Sequence, residues 1–196
     1  MIKILIRDRN RYFQQGMENI LEDFGLNRLH KKICFEYLLS RNTISEANII
    51  VMDLQPGEGY LCHFDLCRYR KGIFLGIQER EMPSIHRLPN CFRNASIITR
   101  NTPMQSVRQE IVHAWETYQP DLSVKCSACT CKFLSKQQLS LMRLMLDGKN
   151  EKEIADRLNI TVATIFSYKY QIMKNFSLKN NQELNAFIRS YLLHPW

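Results

Sequence analysis

The chain has 196 residues, 45% of them hydrophobic and 23% charged, so it is an ordinary globular composition and not a disordered or fibrous one. Its 27 Lys and Arg outweigh 19 Asp and Glu to leave +8, which favours a polyanionic partner, nucleic acid first, and excludes an acidic, self-solvating tail protein. No apolar run approaches the roughly 18 to 20 residues that span a bilayer. The start, Met-Ile-Lys-Ile-Leu-Ile-Arg, turns charged too soon for a secretory signal, so a cytoplasmic protein is expected, with no membrane partner. Seven scattered cysteines (34, 62, 67, 91, 126, 129, 131) then read as thiols and not as a disulfide framework.

Ile2 to Ile6 is a short β-branched run, closed by Arg7-Asp8-Arg9-Asn10. Phe13, Met17, Ile20, Leu21 and Phe24 follow at spacings of three and four, which predicts an amphipathic helix stopped by Gly25. Asn48–Met52, Ile73–Ile77 and Ala95–Thr99 are further buried-strand candidates, while residues 54–72 are poorly periodic. A closing helix is predicted from Pro103 to Tyr118, with Met104, Val107, Ile111 and Trp115 on one face. Short apolar strands separated by helical segments favour a doubly wound parallel α/β sheet over residues 1–118.

Pro120-Asp121-Leu122-Ser123 breaks the pattern, and residues 119–132 read as a linker. Residues 133–196 read as an all-α domain of four helices. Ser135 caps the first, which ends at Asp147-Gly148; Asn150 caps Glu151 to Leu158; Thr161 caps a helix to about Phe176; Asn181 to Leu193 closes the domain. This last segment carries nine basic and five acidic residues, net +4, against net +3 over residues 1–118.

A short helix, a tight turn at Asn159-Ile160 and a second capped helix make a helix-turn-helix, whose second helix suits the major groove. On that helix Ile165, Ile172 and Phe176 share the core stripe, with Tyr168 at its border. Ala163, Phe166, Ser167, Tyr170 and Lys174 fall opposite, a face suited to base edges, thymine methyls and phosphates. Lys152 and Lys169 flank it as phosphate contacts, and the Thr161 and Thr164 hydroxyls lie beside a helix start.

Leu134-Ser135-x-x-Gln138, then Gly148-x-x-x-Lys152-Glu153-Ile154-Ala155-x-x-Leu158-x-Ile160-Thr161-x-x-Thr164-Ile165, resembles the LuxR/FixJ-type helix-turn-helix of bacterial transcription regulators over about residues 133–190. The resemblance implies double-stranded DNA as partner and, usually, dimers on two half-sites. It places base reading on Phe166, Ser167 and Tyr170, with Lys152, Thr161, Thr164, Lys169 and Lys174 nearer the backbone. The chain departs from the family where a lysine usually follows Thr-Val: here Phe166 follows Thr164-Ile165, and a usual histidine is Tyr168. Phe-Ser-Tyr-Lys is nearer to the enterobacterial RcsA/BglJ-like branch of auxiliary regulators. By that analogy a homodimer, or a heterodimer with a response regulator, is expected, with contact to RNA polymerase and control of surface structures such as capsule or fimbriae.

The N-terminal half resembles a response-regulator receiver domain. Asn48 to Gly57 looks like the strand ending in the phospho-accepting aspartate, here Asp53. Phosphorylation there needs carboxylates to hold Mg²⁺, a hard cation. The family's acidic pair falls on Asp8-Arg9, and its lysine on Arg100. Arg9 beside the metal position repels Mg²⁺ and is placed to pair with Asp53, so Asp53 is expected to be vestigial.

Cys126-x-x-Cys129-x-Cys131 invites a zinc or redox reading, but structural zinc takes four ligands and no local fourth exists, so incidental thiols are expected. No cofactor, metal or enzymatic activity is expected. Two alternatives remain open from sequence: a phosphorylation-dependent response regulator using Asp53, and a protein-binding adaptor without DNA affinity of its own.

Overall fold

The computed structural model describes residues 1–62, 66, 69, 72–80, 89, 95–119 and 134–193. The strands are β1 (Ile2–Arg7), β2 (Ile33–Glu36), β3 (Ile49–Asp53), β4 (Ile73–Gln78) and β5 (Ala95–Thr99). The helices are α1 (Arg11–Asp23), α2 (Arg41–Glu46), α3 (Met104–Thr117), α4 (Lys136–Leu146), α5 (Glu151–Leu158), α6 (Val162–Asn175) and α7 (Asn181–Leu193). The chain separates into two compact units, Met1–Leu54 with Cys62–Cys129, and Gln55–Leu61 with Thr130–Trp196.

The first unit is the doubly wound α/β fold expected. All pairs are parallel and the order is β2-β1-β3-β4-β5. Alternation decides its layers. Ile2, Ile4 and Ile6 of β1 join Ile49 and Val51 of β3, Ile73, Leu75 and Ile77 of β4 and Ile98 of β5 on one face. That face is covered by Met17, Ile20 and Leu21 of α1 and Val107 and Ile111 of α3. Leu5, Ile50, Met52 and Phe74, pointing the other way, are buried too, as a parallel sheet requires. Each such side chain contributes about 1.5–3 kcal/mol by leaving water. Phe24 meets Trp115 edge to face at 5.9 Å.

Two local features differ from the sequence expectation. Gly25 does not end the helix: the chain continues through a π-helical turn, Phe24–Arg28. An added Cβ at Gly25 would lie 2.5 Å from the Ile33 side chain, so close packing is what the glycine serves here. The edge strand β2 has no alternation to reveal it, since all four of its residues are half-buried.

In the second unit Leu141 and Met142 of α4, Ile154 and Ala155 of α5, Ile165 and Ile172 of α6, and Leu184, Phe187 and Ile188 of α7 are buried, together with Phe176. Phe176 and Phe187 stack tilted at 4.5 Å. The segment Gln55–Leu61 belongs to this unit. Gly57 sits there at φ +85°, with an added Cβ falling 2.6 Å from Phe187, so only glycine fits. Beside it the Tyr60 hydroxyl lies 2.7 Å from Ser177 Oγ, and the buried Glu58 accepts a hydrogen bond from the Ser190 hydroxyl.

Candidate nucleic-acid interface

The expected caps are present. Ser135 accepts from the Gln138 N–H at 3.2 Å, and the Gln138 side chain returns the bond to the Ser135 N–H at 3.0 Å. Asn150 and Glu153 make the same reciprocal pair at 3.0 and 2.9 Å. The hydrogen bond that the Asn150 N–H donates to the Glu153 carboxylate comes first among the causes that hold this carboxyl below its ordinary range. Asn159 ends α5 in the left-handed region at φ +51°, with the Ile160 N–H bonding the Ala155 carbonyl at 3.0 Å. Thr161 then starts α6, its Oγ1 accepting from the Thr164 N–H at 3.2 Å. A three-residue turn thereby sets two helices at a fixed angle.

Burial divides α6 along its length. Ile165 and Ile172 are fully buried and Phe176 nearly so. Tyr168, at the border, is half-buried and donates its hydroxyl to Gln137 of α4. On the outer side Ala163, Phe166, Ser167, Tyr170 and Lys174 are all exposed, Phe166 at 56% and Tyr170 at 65%. Lys152 is exposed on α5. The Thr161 and Thr164 hydroxyls lie 2.9 Å apart, and the Ser167 hydroxyl donates to the Ala163 carbonyl at 3.1 Å.

Lys169 stands apart from this face. Its side chain is 13% exposed, and its ammonium donates to Glu151 Oε1 at 2.7 Å. That hydrogen bond is the main cause holding the Glu151 carboxyl below its ordinary range. The same ammonium lies 5.8 Å from the centre of the Phe166 ring. Glu151, eighteen residues upstream, carries no signal in the sequence that would have joined it to Lys169.

At the carboxyl end of the parallel sheet, where strand order reverses between β1 and β3, such folds place their ligands. Asp8 follows β1, Asp53 ends β3 and Arg100 follows β5. Both carboxylates are almost wholly buried, Asp8 at 0% and Asp53 at 3%. Arg9 Nε donates to Asp53 Oδ2 at 2.9 Å, the pairing expected from sequence. Arg100 Nη2 donates to Asp8 Oδ1 at 2.9 Å and lies 3.0 Å from Asp53 Oδ1. Its Nε donates to Glu79 at 2.9 Å, and its guanidinium lies 4.8 Å from the Phe13 ring centre. Burial disfavours the Arg100 charge, but the Asp8 hydrogen bond and the two aspartate charges outweigh it and raise its pKa. Two guanidinium groups therefore stand where two carboxylates would need a divalent cation.

Among the described residues no three His, Cys, Asp or Glu side chains converge as a metal site, and no helix is long and apolar enough to cross a membrane. Cys34 is a half-buried free thiol. Cys126, Cys129 and Cys131, with most of the expected linker, lie outside the described residues.

Residues 132–188 match the family described as bacterial regulatory proteins, luxR family. The DNA-binding transcriptional activator EvgA of Escherichia coli K12 is 39% identical over 54 residues, 28% of this chain and 26% of that protein. The match thus spans about a quarter of EvgA. The Fimbriae W protein of Salmonella typhimurium is 23% identical over 199 residues that cover 96% of both chains. In fold, the chain resembles RcsB in a structure of two RcsB dimers bound to two parallel DNAs, with TM-score 0.56, 19% identity and 96% and 98% of the two chains covered. The architecture is that of a receiver-like parallel sheet followed by a helix-turn-helix domain. Residues 132–188 are thus a helix-turn-helix domain of the kind found in the luxR family of bacterial regulatory proteins.

Proposed function

We propose that this chain is a transcription regulator that binds double-stranded DNA by laying α6 in the major groove, and that it is not an enzyme. The observation that carries the proposal is the outer face of α6, where Phe166, Ser167 and Tyr170 are exposed on a helix whose caps and core fix its angle to α5. Phe166, Ser167 and Tyr170 take the base edges. Lys152 and Lys174, with the Thr161 and Thr164 hydroxyls, take phosphates. Lys169 meets the DNA through its effect on Phe166, since Glu151 already holds its ammonium.

One such domain touches few bases, so the active species is a dimer, either of this chain or with a response regulator. The likenesses to an activator named DNA-binding and to RcsB, whose dimers are bound to DNA in its structure, support that reading. The likeness to the Fimbriae W protein, over nearly the whole of both chains, supports control of surface structures such as fimbriae. Contact with RNA polymerase and a cytoplasmic location complete the proposal. The first unit serves assembly, with Asp53 a structural carboxylate tied to Arg9 and Arg100.

The test is a titration of the full chain against random-sequence duplex DNA at several salt concentrations. Affinity should fall steeply with salt, log K changing by about −0.9 per phosphate contact. Lys152→Ala and Lys174→Ala should each make the slope shallower, whereas Ser167→Ala should change site preference and leave the slope unaltered. Absence of any salt-dependent binding would favour the adaptor reading instead.

A further inference from the structure

We propose that Phe166 and Tyr170 form a two-ring ledge that reads the methyl groups of thymine, with Lys169 acting as the strut that sets the Phe166 ring. The proposal rests on the DNA-binding reading above and names what that surface selects.

The outer face of α6 is short of the groups that usually read bases. No Arg or Asn projects from its centre: Ala163, Phe166, Ser167 and Tyr170 do, and of their two hydroxyls that of Ser167 is already given to the Ala163 carbonyl at 3.1 Å, while that of Tyr170 sits at the far tip of its ring. What the centre offers instead is apolar area, with Phe166 56% and Tyr170 65% exposed. Positions i and i+4 hold their Cβ atoms about 5–6 Å apart on one side of a helix. Base pairs rise about 3.4 Å each, so the two rings reach successive or alternate steps. In the major groove the apolar feature that distinguishes one base from the others is the thymine C5 methyl. The surroundings choose DNA over an apolar protein partner, because Lys174 follows Tyr170 by one turn on the same helix and Lys152 is exposed on the preceding one, both positively charged.

Lys169 gives the ledge its order. Its ammonium is held at 2.7 Å by Glu151 of the preceding helix and lies 5.8 Å from the Phe166 ring centre. A ring limited in this way loses less rotamer freedom when it docks. A phosphate would have to compete with Glu151 for the ammonium, which is why Lys169 is a positioning residue here.

The experiment selects duplexes from a random pool with the full-length protein, then replaces each thymine of the selected site, one at a time, by deoxyuridine. This removes one methyl and keeps every hydrogen-bonding atom. At one or more positions affinity should fall about fourfold per methyl lost, on the scale of one buried carbon group. Phe166→Ala or Tyr170→Ala should abolish that difference at its own position while leaving the salt slope unchanged. Lys169→Met should reduce the thymine preference and keep the same slope. Equal binding of thymine and deoxyuridine sites throughout would overturn the proposal, as would a difference that survives both alanine variants. It would also fall if Phe166→Ala altered only the oligomeric state. If no duplex is retained from the pool, the DNA-binding reading itself fails, and this inference falls with it.

Discussion

At the scale of single residues, guanidinium groups settle the buried carboxylates of the first unit, and an ammonium ties two helices of the second. Arg100 is the pivot of the first. Two nearly fully buried carboxylates share its Nη2, and Arg9 pairs with Asp53. Removing one partner of a buried pair leaves a desolvated charge behind, an effect of about 3–5 kcal/mol. Arg100→Ala should therefore lower stability by an amount in that range, read as a reduced urea midpoint, and Arg100→Lys should recover part of it through charge without the forked geometry. An unchanged midpoint in Arg100→Ala would mean that Arg9 alone neutralises the pocket. The Arg9–Asp53 pair, 44 residues apart, was legible because the receiver resemblance places both positions at one site. The Arg100–Asp8 bond, 92 residues apart, and the Glu151–Lys169 pair depend on where side chains converge after folding, which no local pattern encodes.

At the scale of elements, strand and helix boundaries followed their chemical causes closely. β1, β3 and β4 are buried on both faces, and the resulting β-branched runs are visible in one dimension, while β5, the other edge, shows itself through Ile97-Ile98 with only Ile98 buried. β2 is a sheet edge with four half-buried residues, so neither alternation nor a continuous apolar run marks it. The short α2 depends on the Ser40–Thr43 capping box for six residues and carries one fully buried side chain, Ile44, too little for a periodic signal. The helices of the second unit were legible because each begins with a capping side chain, and α5 ends on a residue able to adopt positive φ. Asn159 is that residue, at φ +51°. Left-handed backbone disfavours a residue with a Cβ by about 1–2 kcal/mol, less for Asn and not for Gly. Asn159→Gly should leave thermal stability nearly unchanged and Asn159→Ala should lower it by about 1 kcal/mol. Equal stabilities for the two variants would show that the turn relaxes to another conformation.

At the scale of the whole molecule the sequence located half of the +8 charge in the last third of the chain, and the outer side of α6 and α5 displays part of it as Lys152 and Lys174. Composition revealed that an anion was to be met. It did not reveal which lysine would be engaged elsewhere, because Lys169 and Lys174 differ in partners and not in chemistry.

The guanidinium-filled pocket of the receiver-like sheet has a consequence for what the chain responds to. A pocket that needs a divalent ion changes its stability with the supply of that ion, since whatever binds only the folded state stabilises it. Here Arg9 and Arg100 come with the chain, at a fixed stoichiometry that no chelator can lower. The thermal midpoint should be the same in EDTA as in millimolar Mg²⁺, and incubation with a phosphoryl donor should leave Asp53 unmodified by intact-mass measurement. A Mg²⁺-dependent midpoint, or an added phosphoryl group at Asp53, would show that solution ions still displace the arginines. A pocket whose counter-ions come from its own sequence has its charge balance set when the chain is made.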